Sequence, residues 1–377
     1  MIKILHFVTD EKFIDIAMSE FCEFSKQTTN LFVFVTEDSE FRFKYIQSKN
    51  ILLIHPNNVL SFLNKGQFNA VILHNFYSLP TSCLLKIKKD IKVIWFAWGF
   101  DIYGCGHIWP LIKIRKYRYH TKLLLFNWKS LIFDFIHLPR TIKENYIYRC
   151  GVKRVDYFSG VLPVEYSLMR RNCFFRAEEV CFSYIDPNRV LQFPTVDKTT
   201  INILLGNSSD PCNNHADILI KLANLGVNNC KIVVPLSYPT SMKNYAAKIC
   251  DLGNKLMKDN FIGITSFLPI EEYNKAVRSC HVRIFPHERQ QAIGNILLAF
   301  ENGCKVFMSK TSINYSYFSN LGFHVYTIQD DLSIDNLVTP LDDENIEKNF
   351  RLLIKYKSWE SVYKDIDSLI KSIEKSI

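Results

Sequence analysis

Short apolar runs alternate with amphipathic stretches along the first half of the chain. IKILHFVT has the length of a strand, FIDIAMSEFCEFS repeats its apolar positions at helical spacing, and NLFVFVTE and NILLIHP are strand-like again. FNAVILHNF and KVIWFAWGF follow, with the helical stretch SCLLKIKK between them, and RVDYFSGVLP returns to a strand and a turn. After residue 200 the alternation restarts. INILLG, CKIVVPLSYP, FIGITSFLP, HVRIFPH and KVFMSK read as strands, separated by helices in HADILIKLANLG, MKNYAAKICDLGNKLM, IEEYNKAVRSC and IGNILLAFENGC. Strands that alternate with helices form βαβ units and parallel sheets. Two such series predict an α/β protein with two Rossmann-like lobes facing a central cleft. The polar, proline-bearing stretch 185–200 marks the hinge. The expected division is an N-terminal lobe over 1–195, a C-terminal lobe over 196–341 and an amphipathic helical tail over 342–377. Open α/β sheets bind ligands outside the carboxyl ends of their strands, so a two-lobed chain should bind in its cleft.

Composition narrows the class. With 48% apolar and 22% charged residues, the chain can build a large core and is not a disordered segment. Eleven cysteines stand singly, with no C-x-x-C pair, which disfavours a zinc ribbon or a redox pair and favours a reducing compartment. MIKILHFVTD lacks the features of a signal peptide, and no run of 18 apolar residues exists. A cytoplasmic protein is expected, which argues against a periplasmic binding protein of similar layout.

Charge adds a location. From Leu111 to Arg154 eleven Lys and Arg stand against Asp134 and Glu144, an excess equal to the +9 of the whole chain. Tyr117, Tyr119, Phe126, Trp128, Phe133 and Phe135 interleave with them. Such a stretch suits an anionic membrane surface, with Arg115, Lys116 and Arg118 as contact residues. It also suits an ordinary solvated basic face. Nucleic acid is the poorer fit, because no recognised nucleic-acid motif accompanies the charge.

Two stretches carry candidate chemistry. ILLGNSSDPCNNH (203–215) stops a strand at Gly206, offers Asn207, Ser208 and Ser209 as donors, and starts a helix near Asn213–His215. Glycine, small donors and a helix N-terminus can cradle a phosphate, or can simply cap a helix with Asp210 or Asn213. FPHERQQAIGNILLAFENGC (285–304) ends a strand at Pro286, presents HERQQ, and opens a helix at Ile293-Gly294. Arg289 can neutralise a phosphate, and Gln290 and Gln291 can bond sugar hydroxyls.

GNSSD-x-x-N-x-H (206–215), VVPLSYP (233–239), RQQ-x-I-G (289–294) and WGFDIY (98–103) resemble the motifs of the TDP-N-acetylfucosamine:lipid II N-acetylfucosaminyltransferase family, glycosyltransferase family 56. In the N-terminal half the resemblance is confined to His74, the 98–103 stretch and Phe193-Pro194-Thr195. It implies the GT-B fold and a glycosyltransferase. The implied donor is a dTDP-linked deoxyamino sugar, 4-acetamido-4,6-dideoxygalactose or a relative. The implied acceptor is an undecaprenyl-diphosphate-linked saccharide on the inner face of the cytoplasmic membrane, in enterobacterial common antigen or O-antigen synthesis. Gly206, Asn207, Ser208, Asp210, Asn213, His215, Tyr238, Arg289, Gln290, Gln291 and Gly294 are the implied donor-binding positions. Glu288 departs from the family's small residue and receives no role. No metal or other cofactor is expected. An inverting reaction needs a base for the acceptor hydroxyl, and Asp101, His74 and Asp10 follow apolar strands of the first half; Asp101 is preferred, with His74 beside it. Trp98 and Tyr103 are candidates to bind the acceptor sugar. A sugar-nucleotide epimerase of the same architecture and a non-catalytic glycolipid-binding protein are the alternatives.

Overall fold

The computed structural model describes the whole chain except residues 12, 105–108, 187–189, 195–201, 228–229 and 376–377. The chain divides into two compact units. Unit 1 holds a seven-stranded sheet of β1 (Ile2–Val8), β2 (Thr28–Val35), β3 (Ile51–Ile54), β4 (Ala70–Leu73), β5 (Lys92–Phe96), β6 (Tyr157–Ser159) and β7 (Glu178–Glu179). Unit 2 holds a six-stranded sheet of β8 (Asn202–Leu205), β9 (Ile232–Pro235), β10 (Phe261–Ile264), β11 (Cys280–Phe285), β12 (Lys305–Met308) and β13 (Tyr326–Thr327).

Both sheets are parallel and share one winding. The strand orders are β3-β2-β1-β4-β5-β6-β7 and β10-β9-β8-β11-β12-β13. Each runs outward from its first strand in one direction, then returns to its other side, so β1/β4 and β8/β11 are the places where the order reverses. The sequence explains why β4 and β9 are interior strands. All four residues of β4, AVIL, are buried, as are all four of β9, IVVP, the unbroken apolar run of a strand covered on both faces.

The division differs from the sequential one in two places. Residues 114–131 belong to unit 2, although they lie within the expected N-terminal lobe. Asn214 and Asp217 draw them there. Asn214 Oδ1 accepts from the Arg118 amide at 2.7 Å, and the Asp217 carboxylate accepts from the amides of His120 and Thr121 at 2.9 Å each. Asp217 thereby serves two free N–H groups at the start of the Tyr119–Leu125 helix from another helix. The tail also splits. The Asp343–Tyr356 helix packs Leu353 against Phe300 and Phe318 in unit 2. The Trp359–Glu374 helix buries Val362, Ile366, Leu369 and Ile373 in unit 1 with Met18 and Phe21. Ser358 accepts from the Ser361 amide and restarts the helix at this break. The expected boundary at 195–196, and Thr195 of the hinge motif, lie outside the described residues.

Candidate active site

In unit 2 the two polar stretches leave the carboxyl ends of neighbouring strands, because β11 pairs with β8. Gly206 extends the ladder, its amide donating to the Ile284 carbonyl at 2.9 Å, and then turns in the left-handed region at φ +71°. Glycine is required twice over. A Cβ there would lie 2.5 Å from Asn213 Oδ1 and 2.9 Å from His215 Nε2, and the backbone conformation itself disfavours any side chain.

Asn213 organises the turn. Its Oδ1 accepts from the Asn207 amide at 3.0 Å, and its Nδ2 donates to the carbonyls of Ser208 and Asp210, each at 3.0 Å. His287 Nε2 lies 2.8 Å from Asn213 Oδ1 and 3.2 Å from Asn207 Oδ1. Both partners are acceptors, so this nitrogen carries the proton, and His287 Nδ1 is left buried without a partner. His215 donates or accepts at Nδ1 with the Tyr245 hydroxyl, 3.2 Å away, and its Nε2 is buried without a partner beside Gly206. Burial lowers both imidazoles to about 3, so both rings are neutral. Gln291 Nε2 reaches Asn207 Oδ1 at 3.3 Å.

Arg289 is buried and already paired. It donates to Asp210 Oδ2 at 2.9 Å, to the Gln290 carbonyl at 3.1 Å and to Cys212 Sγ at 3.3 Å. Burial alone would push the Asp210 carboxyl up, but Arg289 and the Cys212 amide together hold it below its ordinary value. Ser208, Gln290 and Asn213 are buried, whereas the Tyr238 ring is 60% exposed, its carbonyl accepting from the Ser209 amide at 2.6 Å. Next to HERQQ the Ile293–Glu301 helix begins at Ala292, which lies in the left-handed region (φ 64°) and offers no capping side chain. Gly294 follows in the first turn, and a Cβ on it would meet nothing within 4 Å. Uncapped N–H groups beside a bare backbone suit an anion.

Sequence reasoning missed a second cluster in unit 2. Glu288 is buried, with Oε1 2.8 Å from Arg118 Nη2 and 2.9 Å from Ser309 Oγ, and Oε2 2.6 Å from Thr311 Oγ1. Arg118 also donates to Ser309 Oγ at 2.7 Å. Its expected role as a free membrane contact is therefore corrected: its charge is spent on Glu288. The two residues are 170 positions apart, and no local pattern joins them. Arg115 is exposed and bonds the Tyr117 carbonyl at 3.3 Å; the Lys116 carbonyl accepts from Asn214 at 3.2 Å.

Unit 1 brings the other candidates together around β1, β4 and β5. Asp101 lies in the Gly99–Ile102 turn of helix after β5 and is fully buried. Its Oδ2 accepts from the amides of Phe76 (3.1 Å) and Trp98 (3.0 Å) and from Trp95 Nε1 (3.1 Å). Burial pushes its carboxyl up to about 7 despite these bonds. This is a cap that ties three segments together, and its enclosure corrects the expectation of a base open to an acceptor. Tyr103 is corrected likewise: it is buried, and its hydroxyl donates to Glu165 Oε1 at 2.7 Å. Asp10 accepts from the amides of Lys44, Tyr45 and Ile46.

His74 is buried in a chain that begins at a half-buried rim. Trp98 Nε1 lies 3.4 Å from the Tyr184 hydroxyl, which is 2.9 Å from His74 Nδ1; His74 Nε2 is 3.0 Å from His6 Nδ1, and His6 Nε2 is 3.1 Å from Asn30 Oδ1. Trp98 can only donate and Asn30 Oδ1 only accept, so every proton in the chain points from Trp98 toward Asn30. Burial keeps both imidazoles neutral, lowering His6 to about 3 and His74 well below its ordinary value. His6 and Tyr184 were missed by sequence reasoning. A histidine inside the apolar run ILHFV was the one signal for the first of them. Phe13 meets Trp98 edge-on at 6.1 Å and lies 6.2 Å from Tyr184, completing an aromatic rim.

Comparison with known proteins bears on the family and the fold. Residues 171–341 match the family described as 4-alpha-L-fucosyltransferase glycosyl transferase group 56. Among solved structures, the E. coli trehalose-6-phosphate protein bound with UDP-2-fluoro glucose aligns with a TM-score of 0.65 at 7% identity, over 98% of each chain. Sucrose-phosphate synthase from Thermosynechococcus elongatus aligns with a TM-score of 0.64 at 9% identity, over 100% of each chain. A lipopolysaccharide outer core galactosyltransferase in its apo form gives 0.58 at 10% identity, over 98% of this chain and 99% of that one. The fold is GT-B. The polar loops of unit 2 lie inside the matched segment, and the match together with the fold makes the chain a nucleotide-sugar-dependent glycosyltransferase that is similar to group 56 over residues 171–341.

Proposed function

We propose that the enzyme transfers a deoxyamino sugar, 4-acetamido-4,6-dideoxygalactose or a close relative, from a dTDP-linked donor to a polyprenyl-diphosphate-linked saccharide during surface polysaccharide synthesis. The observation that carries the donor half is the junction of β8 and β11. There a glycine turn, two unpartnered buried imidazole nitrogens and an uncapped helix N-terminus converge at neighbouring strand ends. In this reading the diphosphate lies against Gly206–Ser208 and the first turn at Gly294, and Tyr238 stacks on the base. Asn207 and Gln291 meet the sugar or phosphate oxygens. Arg289 supports the loop through Asp210 and lends positive potential to the leaving diphosphate, whose charge grows in the transition state. Asp10, Asp101 and His74 hold the acceptor side in shape, and Trp98 with Tyr184 offers the sugar an aromatic face. The reaction in this reading uses no metal ion.

Thermal melts with dTDP, UDP, GDP and CDP test the donor, followed by transfer assays with and without EDTA. Saturating dTDP at about 100 times its Kd should stabilise the protein by about 2.7 kcal/mol, more than the other nucleotides. A preference for UDP or GDP would remove the dTDP donor. Stabilisation by no nucleotide at all would sink the site.

A further inference from the structure

The helix Trp128–Val152, which belongs to unit 1 from Ile132 onward, is apolar on the wrong side. Its seated face is identified by what it touches. Asn145 Oδ1 accepts from the Trp109 amide at 3.3 Å, Tyr148 donates to the Asp101 carbonyl, and a Cβ on Gly151 would lie 2.7 Å from Phe76 and from Thr81. At about 100° per residue, the opposite arc holds Ile132, Phe135, Ile136, Ile142, Lys143 and Tyr146. All six are exposed, Phe135 at 76% and Ile136 at 65%. A solvated arc of a helix is normally polar. A row of large apolar side chains along one marks a surface made to be covered.

The charges choose the cover. Lys143 stands among the apolar residues, and Lys153 lies exposed just beyond the helix on the same arc. The helix's one acid with a described side chain, Glu144, is held by Arg140 at 2.8 Å on the flank. Apolar side chains bordered by two lysines that form no ion pair among the described residues match the interface of an anionic bilayer, where rings and aliphatic chains enter the acyl boundary and ammonium groups meet the headgroups. Among the described residues no helix is long and apolar enough to cross a membrane, so this contact is peripheral.

We propose that the 132–146 arc of this helix docks unit 1 on an anionic lipid surface, with Phe135 and Ile136 as the inserting side chains and Lys143 as the headgroup contact. The proposal rests on the lipid-linked acceptor of the preceding reading. It also moves the membrane contact from Arg115, Lys116 and Arg118 to an apolar face.

Flotation of the full chain with phosphatidylglycerol/phosphatidylethanolamine vesicles tests it, with phosphatidylcholine vesicles as the neutral control. The wild-type protein should float with the anionic vesicles. The pair Phe135→Ser/Ile136→Ser should lower the vesicle partition coefficient about tenfold, and Lys143→Glu about threefold and on anionic vesicles only. Both variants should keep the wild-type melting point and its nucleotide response. Wild-type protein that ignores anionic vesicles, or serine variants that bind them equally well, would overturn the proposal. So would a wild-type dimer that the serine pair turns into a monomer with vesicle binding unchanged, because the arc would then belong to a second copy. Loss of the nucleotide response with vesicle binding intact would instead strike the donor reading and leave the docking face standing.

Discussion

The two sheets wind alike, yet the places where their strand order reverses are filled in opposite ways. At β8/β11 the chain is lined with polar groups and bare glycines: Gly206 turns left-handed beneath Asn213, Gly294 is exposed without a side chain, and Asn207, Asn213 and His287 bond one another around the turn. At β1/β4 the equivalent place is closed by rings. His6 stacks on Phe32 at 4.1 Å, meets Phe21 edge-on at 4.5 Å, and accepts from His74, which accepts in turn from Tyr184. Topology therefore supplies only the opening. The side chains that fill it decide what can approach the backbone.

The sharpest way to break this contrast is to fill the bare junction. Gly206→Val adds a side chain where Asn213 Oδ1 stands 2.5 Å away and forces a left-handed φ, which costs about 1–2 kcal/mol before any clash. Nucleotide stabilisation should vanish and kcat/KM should fall by about 100-fold or more. A variant with wild-type turnover would show that the turn does not hold the donor. Arg289→Ala comes next. It leaves the Asp210 carboxylate without its partner at 2.9 Å and should lower stability by about 3 kcal/mol, read by denaturant unfolding. Asp210→Asn/Arg289→Ala should recover part of that loss, because no charge is then left alone.

A smaller effect separates the two units by pH. His215 and His287 are held neutral in unit 2, so acidification below about 6.5 protonates the unfolded chain but not the fold, and stability drops. Unit 1 carries the same liability in His6 and His74. It also holds Asp101, raised to about 7, and Glu20, raised to about 9 by burial, both of which take up protons in the fold before the unfolded chain does. Those two gain stability as pH falls toward about 4 and offset the imidazoles. Unit 2 should therefore melt first at pH 5. Trp95, Trp98, Trp109 and Trp359 report on unit 1, with Trp128 alone in unit 2. The circular dichroism transition should begin several degrees below the tryptophan fluorescence transition at pH 5 and coincide more closely with it at pH 7.5. Coincident transitions at both values would contradict the asymmetry.

What the sequence revealed follows the same line. Strand-length apolar runs and helical spacing are local signals, and they gave both parallel sheets. The two polar loops of unit 2 were legible for the same reason, since each is a contiguous motif next to a strand end. What escaped notice is long-range. Arg118 reaches Glu288 only because Asn214 and Asp217 capture residues 116–121. The tail divides between the units because its two amphipathic helices match different cores. Asp101 and Tyr103 stood at a strand end, where a site residue and a buried cap look identical until their partners are known.

Asp101 supplies the mildest test and the one that most directly separates a cap from a base. Its Oδ2 accepts three N–H bonds, and its Oδ1 has no partner. Asn at this position can still accept all three through its amide oxygen. Asp101→Asn should therefore fold, cost about 1 kcal/mol because the new amide N–H is buried without an acceptor, and change kcat by less than about threefold. The substitution should also remove Asp101's share of the rise in stability on acidification, because the group that takes up the proton is gone. A catalytic base would behave differently. Its loss would lower kcat by about 100-fold or more at unchanged stability, and the remaining activity would lose its alkaline-rising limb. A cap predicts that the pH profile of stability moves while the pH profile of turnover stays, and the two profiles measured on one preparation decide between the roles.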